Sequence, residues 1–253
     1  YVTVFKSQGN DTTIHKIEKP HITPIPTNND KQSEFLKEIV NAKPEPIQPK
    51  FVDFKRDLTV ARTKKGLDYL YKKNTSDDIF SLTYHYPFGS ESDNQYAVAA
   101  DYLSYVGTDK LSNEKIQQQF FKLACSYNVS VGDDAINISI SGLNSNMPAA
   151  VRLLENVLTS AKADKESYDK YVGIVLKARA DAKGEQRANF SALTMLGEYG
   201  AYNPQLNDMS EKQLRDAAPQ ALLDKLKNLN RYRATVMYFG PSDMKTVDGI
   251  VSA

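Results

Sequence analysis

Between Ile79 and Phe88, Phe80, Leu82, Tyr84 and Tyr86 alternate with Ser81, Thr83 and His85, the two-residue period of a strand with one buried face. Gly89-Ser90-Glu91-Ser92-Asp93 then supplies turn and capping residues. From Asp93 to Val106 apolar side chains fall on most faces of a helix, which Gly107 stops. Upstream, Leu58 to Ala61 and Leu67 to Tyr71 are expected as short strands joined by a turn at Lys65-Gly66. Downstream, Ser112 to Ser126 opens on a capping serine and carries Ile116, Phe120 and Leu123 at helical spacing. Asn128 to Val131 and Ala135 to Ser141 predict a hairpin across Gly132-Asp133-Asp134, with Ile136, Ile138 and Ile140 on one face. Helical patterns fill Met147 to Ala161, Lys165 to Lys183, Ala188 to Gly200, Ser210 to Asp216 and Pro219 to Leu229, before a last strand from Arg233 to Phe239. This order predicts an α+β fold, a mostly antiparallel sheet with its helices on one face.

The first fifth of the chain follows different rules. Pro20, Pro24, Pro26, Pro44, Pro46 and Pro49 exclude a continuous helix or central strand between Lys16 and Phe51. One apolar stripe, Phe35, Leu36, Ile39 and Val40, predicts a short helix over Asp30 to Val40. Prolines stiffen such a segment into a spacer of defined reach. Val2, Val4 and Phe5 look like part of a strand, and a fresh helical pattern begins after Tyr238-Phe239-Gly240-Pro241. The expected division is therefore residues 1–8 as the tail of a preceding lobe, 9–50 as a linker, 51–240 as an α+β lobe and 241–253 as the start of a following lobe.

Composition removes several function classes. A hydrophobic content of 41% over 253 residues suffices for a real core. Lys+Arg 32 against Asp+Glu 31 gives no basic surplus that would point to nucleic acid or an anionic membrane. No apolar run approaches the ~18 residues of a membrane span. A single cysteine, Cys125, forbids an internal disulfide and is expected as a small core residue. The N-x-S/T triplets at Asn10, Asn74, Asn128, Asn137 and Asn189 are expected by chance in a chain this rich in those residues.

Phosphate-binding glycine loops and the G-x-S-x-G nucleophile turn are absent from the sequence. His15 and His21 are separated by Pro20, so they cannot share one helix face. His85 is expected to face away from Tyr84 and Tyr86. Tyr69, Tyr71, Tyr84, Tyr86, Tyr96, Tyr102 and Tyr105 cluster early in the lobe; they serve either as core side chains or as a groove for an extended peptide.

The strand, loop and helix from Asn74 to Leu111, ending at Gly107-Thr108, resemble the first strand, helix and turn of the M16 (pitrilysin and insulinase) zinc metallopeptidases. The segment EKPHITPIPTNNDKQSEFLKEI with PIQPKFVDFKRDL resembles the connector between the two halves of long M16 proteases. The resemblance implies a LuxS/MPP-like metallohydrolase lobe over roughly Phe51 to Phe239. Active members carry H-x-x-E-H on that helix, two imidazoles that bind zinc and a glutamate that activates water. The motif falls here on Val98-Ala99-Ala100-Asp101-Tyr102, and the third ligand, a glutamate in active members, falls at or beside Arg179. None of Val98, Tyr102 and Arg179 can serve as the expected ligand, since a guanidinium never deprotonates. Asp101 keeps a carboxylate at the place of the catalytic glutamate. It either pairs with Arg179 or faces solvent.

The resemblance thus implies the non-catalytic half of an M16-type zinc endopeptidase, inactive alone, binding no cofactor itself, with no catalytic and no metal-binding residue in this chain. Zinc would sit in a companion half, upstream in the same chain or on a separate subunit. A peptide or unfolded polypeptide would be the substrate, in the bacterial envelope or cytoplasm. The alternative is a non-enzymatic structural or interaction subunit built on the same lobe.

Overall fold

The computed structural model describes residues 3–4, 9, 18–25, 27, 31–202 and 204–252. It divides into two compact units, Tyr1–Lys50 and Phe51–Ala253. Val2, Phe5 and His15 lie outside the described residues. In the first unit the described prolines, Pro20, Pro24, Pro44, Pro46 and Pro49, are exposed and outside regular secondary structure, and a helix, α1 (Glu34–Asn41), lies between them. It starts later than the pattern from Asp30 predicts, because the Ser33 hydroxyl accepts from the Leu36 N–H at 3.1 Å and caps the helix there. Its stripe of Phe35, Leu36, Ile39 and Val40 is exposed.

The second unit opens with a one-turn helix that periodicity alone does not show, α2 (Phe54–Asp57), where the Asp53 carboxylate accepts from the N–H groups of Lys55 and Arg56. The strands β1 (Thr59–Arg62) and β2 (Asp68–Lys73) form an antiparallel pair across a turn in which Gly66 takes φ +81°. Next come β3 (Ile79–Tyr86), helix α3 (Gln95–Leu103), the two-residue strand β4 (Gly107–Thr108) and helix α4 (Asn113–Lys122). A hairpin, β5 (Cys125–Val131) and β6 (Ile136–Leu143), leads into helix α5 (Met147–Ser160) and the short strand β7 (Ala161–Lys162). Helices α6 (Lys165–Ala182), α7 (Gln186–Tyr199), α8 (Glu211–Asp216) and α9 (Pro219–Lys227) precede β8 (Thr235–Gly240) and α10 (Met244–Val251).

Six strands make one sheet in the order β1-β2-β8-β3-β6-β5, antiparallel except for the parallel β2–β8 pair. The returning strand β8 inserts between β2 and β3, placing Tyr71 opposite Tyr238 and Leu82 opposite Tyr238. Phe80, Leu82, Ile136, Ile138, Ile140, Val236 and Tyr238 form the buried face, joined by Val151, Leu154 and Leu222 from the helical layer. The opposite face carries Thr83, which lies 3.0 Å from Ser139 across the strand pair, and the pair His85 and Asn137. One apolar and one polar face per strand is what the period of two demands.

Two expectations are revised here. The helix predicted to reach Ser126 ends at Lys122, since Ala124 takes φ +48° and turns the chain so that Cys125 opens β5. Cross-strand pairing of Cys125 with Gly142 and Tyr127 with Ile140 overrides the helical spacing. Gly142 is required at this crossing, because at φ +149° a Cβ would stand 2.3 Å from the Ala124 carbonyl oxygen. Residues 241–253, expected to begin a following lobe, belong to this same unit. Val247 of α10 is fully buried, and the Asp248 carboxylate accepts the Lys64 N–H at 2.9 Å.

Candidate functional site

The four positions at which the resemblance places the zinc motif lie on α3 and α6. Neither helix is strongly amphipathic: α3 buries Tyr96, Val98, Ala99, Ala100, Tyr102 and Leu103, nearly all of its circumference. Alanines let α3 pack closely on its neighbours, and its contacts with α9 are the most extensive of any helix pair. Helix α6 is capped by Asp164, whose carboxylate accepts the Ser167 N–H at 2.7 Å, and buries Tyr168, Tyr171 and Val172.

Between the two helices and the segment at Asp208 and Met209 lies a cavity of about 440 Å³. Val98, Asp101 and Arg179 all line it, so the structure brings together three of the four residues picked from sequence. Tyr102 does not join them. It is fully buried in the aromatic layer behind the cavity, its ring 5.0 Å from that of Tyr168 and 5.9 Å from that of Tyr171.

Asp101 and Arg179 share the cavity without forming an ion pair among the described residues. The Arg179 guanidinium donates through Nη1 to the Met209 carbonyl at 2.6 Å and through Nη2 to the Asp208 carboxylate at 3.2 Å. Sequence spacing missed Asp208 because its partner lies 29 positions away, on a segment with no motif of its own. The Asp101 carboxylate stands at the cavity rim. Partial burial pushes its pKa up, the Asp208 charge adds to that, and a hydrogen bond from Tyr171 opposes it. The Tyr171 hydroxyl is in turn pushed well above the usual tyrosine range, chiefly by burial and by the Asp101 charge.

These residues do not fit a zinc ion. Val98 offers no donor atom, the Tyr102 hydroxyl is engaged with backbone, and a guanidinium stays protonated. Among the described residues no group of three histidine, cysteine, aspartate or glutamate side chains is placed to hold a metal. His85 turns to the open sheet face, where its Nδ1 donates to Asn137 Oδ1 at 2.9 Å, and Cys125 is buried as expected of a core thiol. His21 is exposed in the first unit.

The early tyrosines do not line one groove. Tyr69 and Tyr71 sit beside Tyr238, with Tyr71 and Tyr238 stacked at 5.6 Å. Tyr84 and Tyr86 border a separate cavity of about 620 Å³ under α5 and α9, and Tyr102 and Tyr105 belong to the α3–α6 layer. Among the described residues no helix is long and apolar enough to cross a membrane.

No protein-family model matches the sequence, and no curated protein matches it. Solved structures do match. A peptidase M16 inactive domain from Pseudomonas fluorescens is similar with a TM-score of 0.66 and 16% identity, covering 77% of this chain and 49% of that one. The periplasmic protease PqqL from Escherichia coli is similar with a TM-score of 0.65 and 13% identity, over 84% of this chain and 24% of that one. The ferredoxin protease FusC, solved in complex with Arabidopsis ferredoxin, is similar with a TM-score of 0.65 and 11% identity, over 83% of this chain and 25% of that one. The chain therefore has the fold of an M16 peptidase lobe, and it spans half or less of the length of each of these structures.

Proposed function

We propose that this chain is the connector and first lobe of the non-catalytic half of an M16-type zinc endopeptidase, a wall of the chamber in which a companion half cleaves polypeptide. The observation that carries the reading is the filling of the zinc position on an otherwise M16-like lobe. On this reading valine and a backbone-bonded tyrosine stand where two imidazoles would be, and at or beside the third ligand position is an arginine tied to Met209 and Asp208. The likeness to an M16 inactive domain supports the same reading.

Such a half contributes enclosure. Among the described residues 36 hydrophobic side chains are buried, giving a rigid wall, and the proline-rich first unit has the composition of a spacer of fixed reach. Zinc, and the water it would activate, belong on this reading to the companion half.

The test is the parent reading frame together with the purified product. We expect H-x-x-E-H and a downstream glutamate on a matching lobe encoded upstream of Tyr1 or on a co-expressed subunit, and no stoichiometric zinc on this chain alone. A genome that supplies no such motif to either place overturns the protease reading in favour of a structural subunit. One zinc per chain, lost in His85→Ala, overturns the assignment of this lobe as non-catalytic.

A further inference from the structure

The α3–α6 cavity lacks a zinc site, but it is not chemically blank. Arg179 and Asp208 neutralise one another at 3.2 Å, so Asp101 is left as the cavity's unmatched charge among the described residues. Tyr171 lines the same cavity. A second acceptor lies on the same helix face: Asn94 spends its Nδ2 on the Asn207 carbonyl at 2.8 Å, which turns its amide in a fixed sense and leaves Oδ1 as an acceptor.

The walls suit a cation. Tyr105 and Tyr171 both line the cavity with ring centroids 5.4 Å apart and planes tilted by 54°, and Tyr105 is 42% exposed. Tyrosine faces attract a positive charge placed near them. The remaining wall is aliphatic, with Ile174, 53% exposed, above Val175 and Ala178. Methylene groups gain by covering such a surface while a charged head reaches polar groups beyond it.

We propose that this cavity binds a primary ammonium on an alkyl stem, the lysine side chain of an extended polypeptide, with Asp101 as counter-ion and Tyr105 and Tyr171 as flanking rings. One net negative charge matches one ammonium. A calcium or magnesium ion would need more oxygen ligands than Asp101 and Asn94 supply. Beside the Asp101 carboxylate, Asn94 Oδ1 is a separate acceptor, which suits the three divergent donors of an ammonium. A free diamine carries the same chemistry as lysine, so the source must be resolved by experiment. That the ammonium arrives on a polypeptide rests on the chamber reading; the pocket itself rests on these side chains alone.

The experiment is calorimetric titration of the whole 253-residue chain with pentane-1,5-diamine, N-acetyl-lysine methylamide, an unfolded lysine-containing peptide, and the same peptide with norleucine for lysine. The lysine peptide should bind and the norleucine peptide should bind at least about tenfold more weakly. Asp101→Asn should weaken the lysine peptide by a similar factor and leave the norleucine peptide unchanged. Tyr105→Ala should weaken it too, while Asp109→Asn, outside the cavity, should not. Equal binding of the two peptides, or full-strength lysine binding by folded Asp101→Asn, overturns the pocket while leaving the chamber reading standing. Binding of the diamine and lysine amide, with no binding of the peptide, supports the pocket and removes the polypeptide as its occupant.

Discussion

Tyr102 donates its hydroxyl to the Asp164 carbonyl at 2.8 Å and accepts the Asp164 N–H at 3.0 Å, so one side chain satisfies both backbone groups of a single residue. Asp164 is the cap of α6, and Tyr102 sits near the end of α3. Helices α3 and α6 are thus clamped together by a hydrogen-bonded tyrosine. Tyr102→Phe keeps the ring and strips both bonds; the Asp164 carbonyl keeps the Tyr168 N–H at 3.0 Å, while the part-buried Asp164 N–H loses its partner. A loss of about 1–3 kcal/mol in denaturant unfolding is expected. A loss below about 0.5 kcal/mol would mean that water replaces the hydroxyl.

The raised pKa of Asp101 has a signed consequence. A carboxyl held above its unfolded value of about 3.9 stabilises the fold only when protonated, and that contribution is lost as pH rises through the folded value. Asp101→Asn, which is neutral at every pH, should therefore raise the melting temperature at pH 7. Near pH 3, where Asp101 is itself neutral, the two proteins should melt together. Thermal scans at both values check this, and a lower Tm for the variant at pH 7 contradicts it.

Lys225 of α9 pairs with the Asp93 carboxylate at the head of α3 and lies 5.6 Å from the centre of the Tyr96 ring. Both partners are about two-thirds shielded from solvent, with side chains 29% and 32% exposed. The Lys212–Asp216 pair on α8 is 86% and 62% exposed and serves as the comparison. Double-mutant cycles to alanine should give a coupling of about 1–2 kcal/mol for Lys225–Asp93 and about 0.5 kcal/mol or less for Lys212–Asp216. Equal couplings would show that solvent screens both pairs alike.

At the free edge of the sheet, bonding parity is set by Leu143 N–H to Ala124 O at 3.1 Å and Gly132 N–H to Ala135 O at 2.8 Å. With the β5–β6 register, this points the backbone groups of Ser126, Asn128 and Ser130 toward β6 and those of Tyr127 and Val129 outward. Amide hydrogen exchange along β5 should alternate, the even-numbered amides exchanging about tenfold or more slowly than the odd. Uniform protection would reveal a partner covering this edge.

Much of this architecture was legible in local pattern. The period of two in β3 and β6 marked both strands and their buried faces, because residues such as Ile136, Ile138 and Ile140 must leave water together. A capping residue placed the start of α4, where Ser112 accepts the Lys115 N–H, a group that has no helical partner. Where pattern misled, a longer-range force had won. Cys125 follows a helical period yet opens a strand, since the segment it begins bonds to β6 through Ala124, Ser126, Asn128 and Ser130, ladder bonds that a further helical turn would not supply.

The sequence alone determined what the α3–α6 site cannot be, because Val98, Tyr102 and Arg179 carry the wrong donor atoms whatever surrounds them. Only the tertiary structure decided what it is. Whether Arg179 neutralises Asp101 depends on which carboxylate lies nearer. The segment carrying Asp208 and the Met209 carbonyl, folded against α6, captures the guanidinium first. Asp101 is left facing a tyrosine-walled cavity because charge pairing is a matter of distance in space, and distance in space is not written in the spacing of residues along a chain.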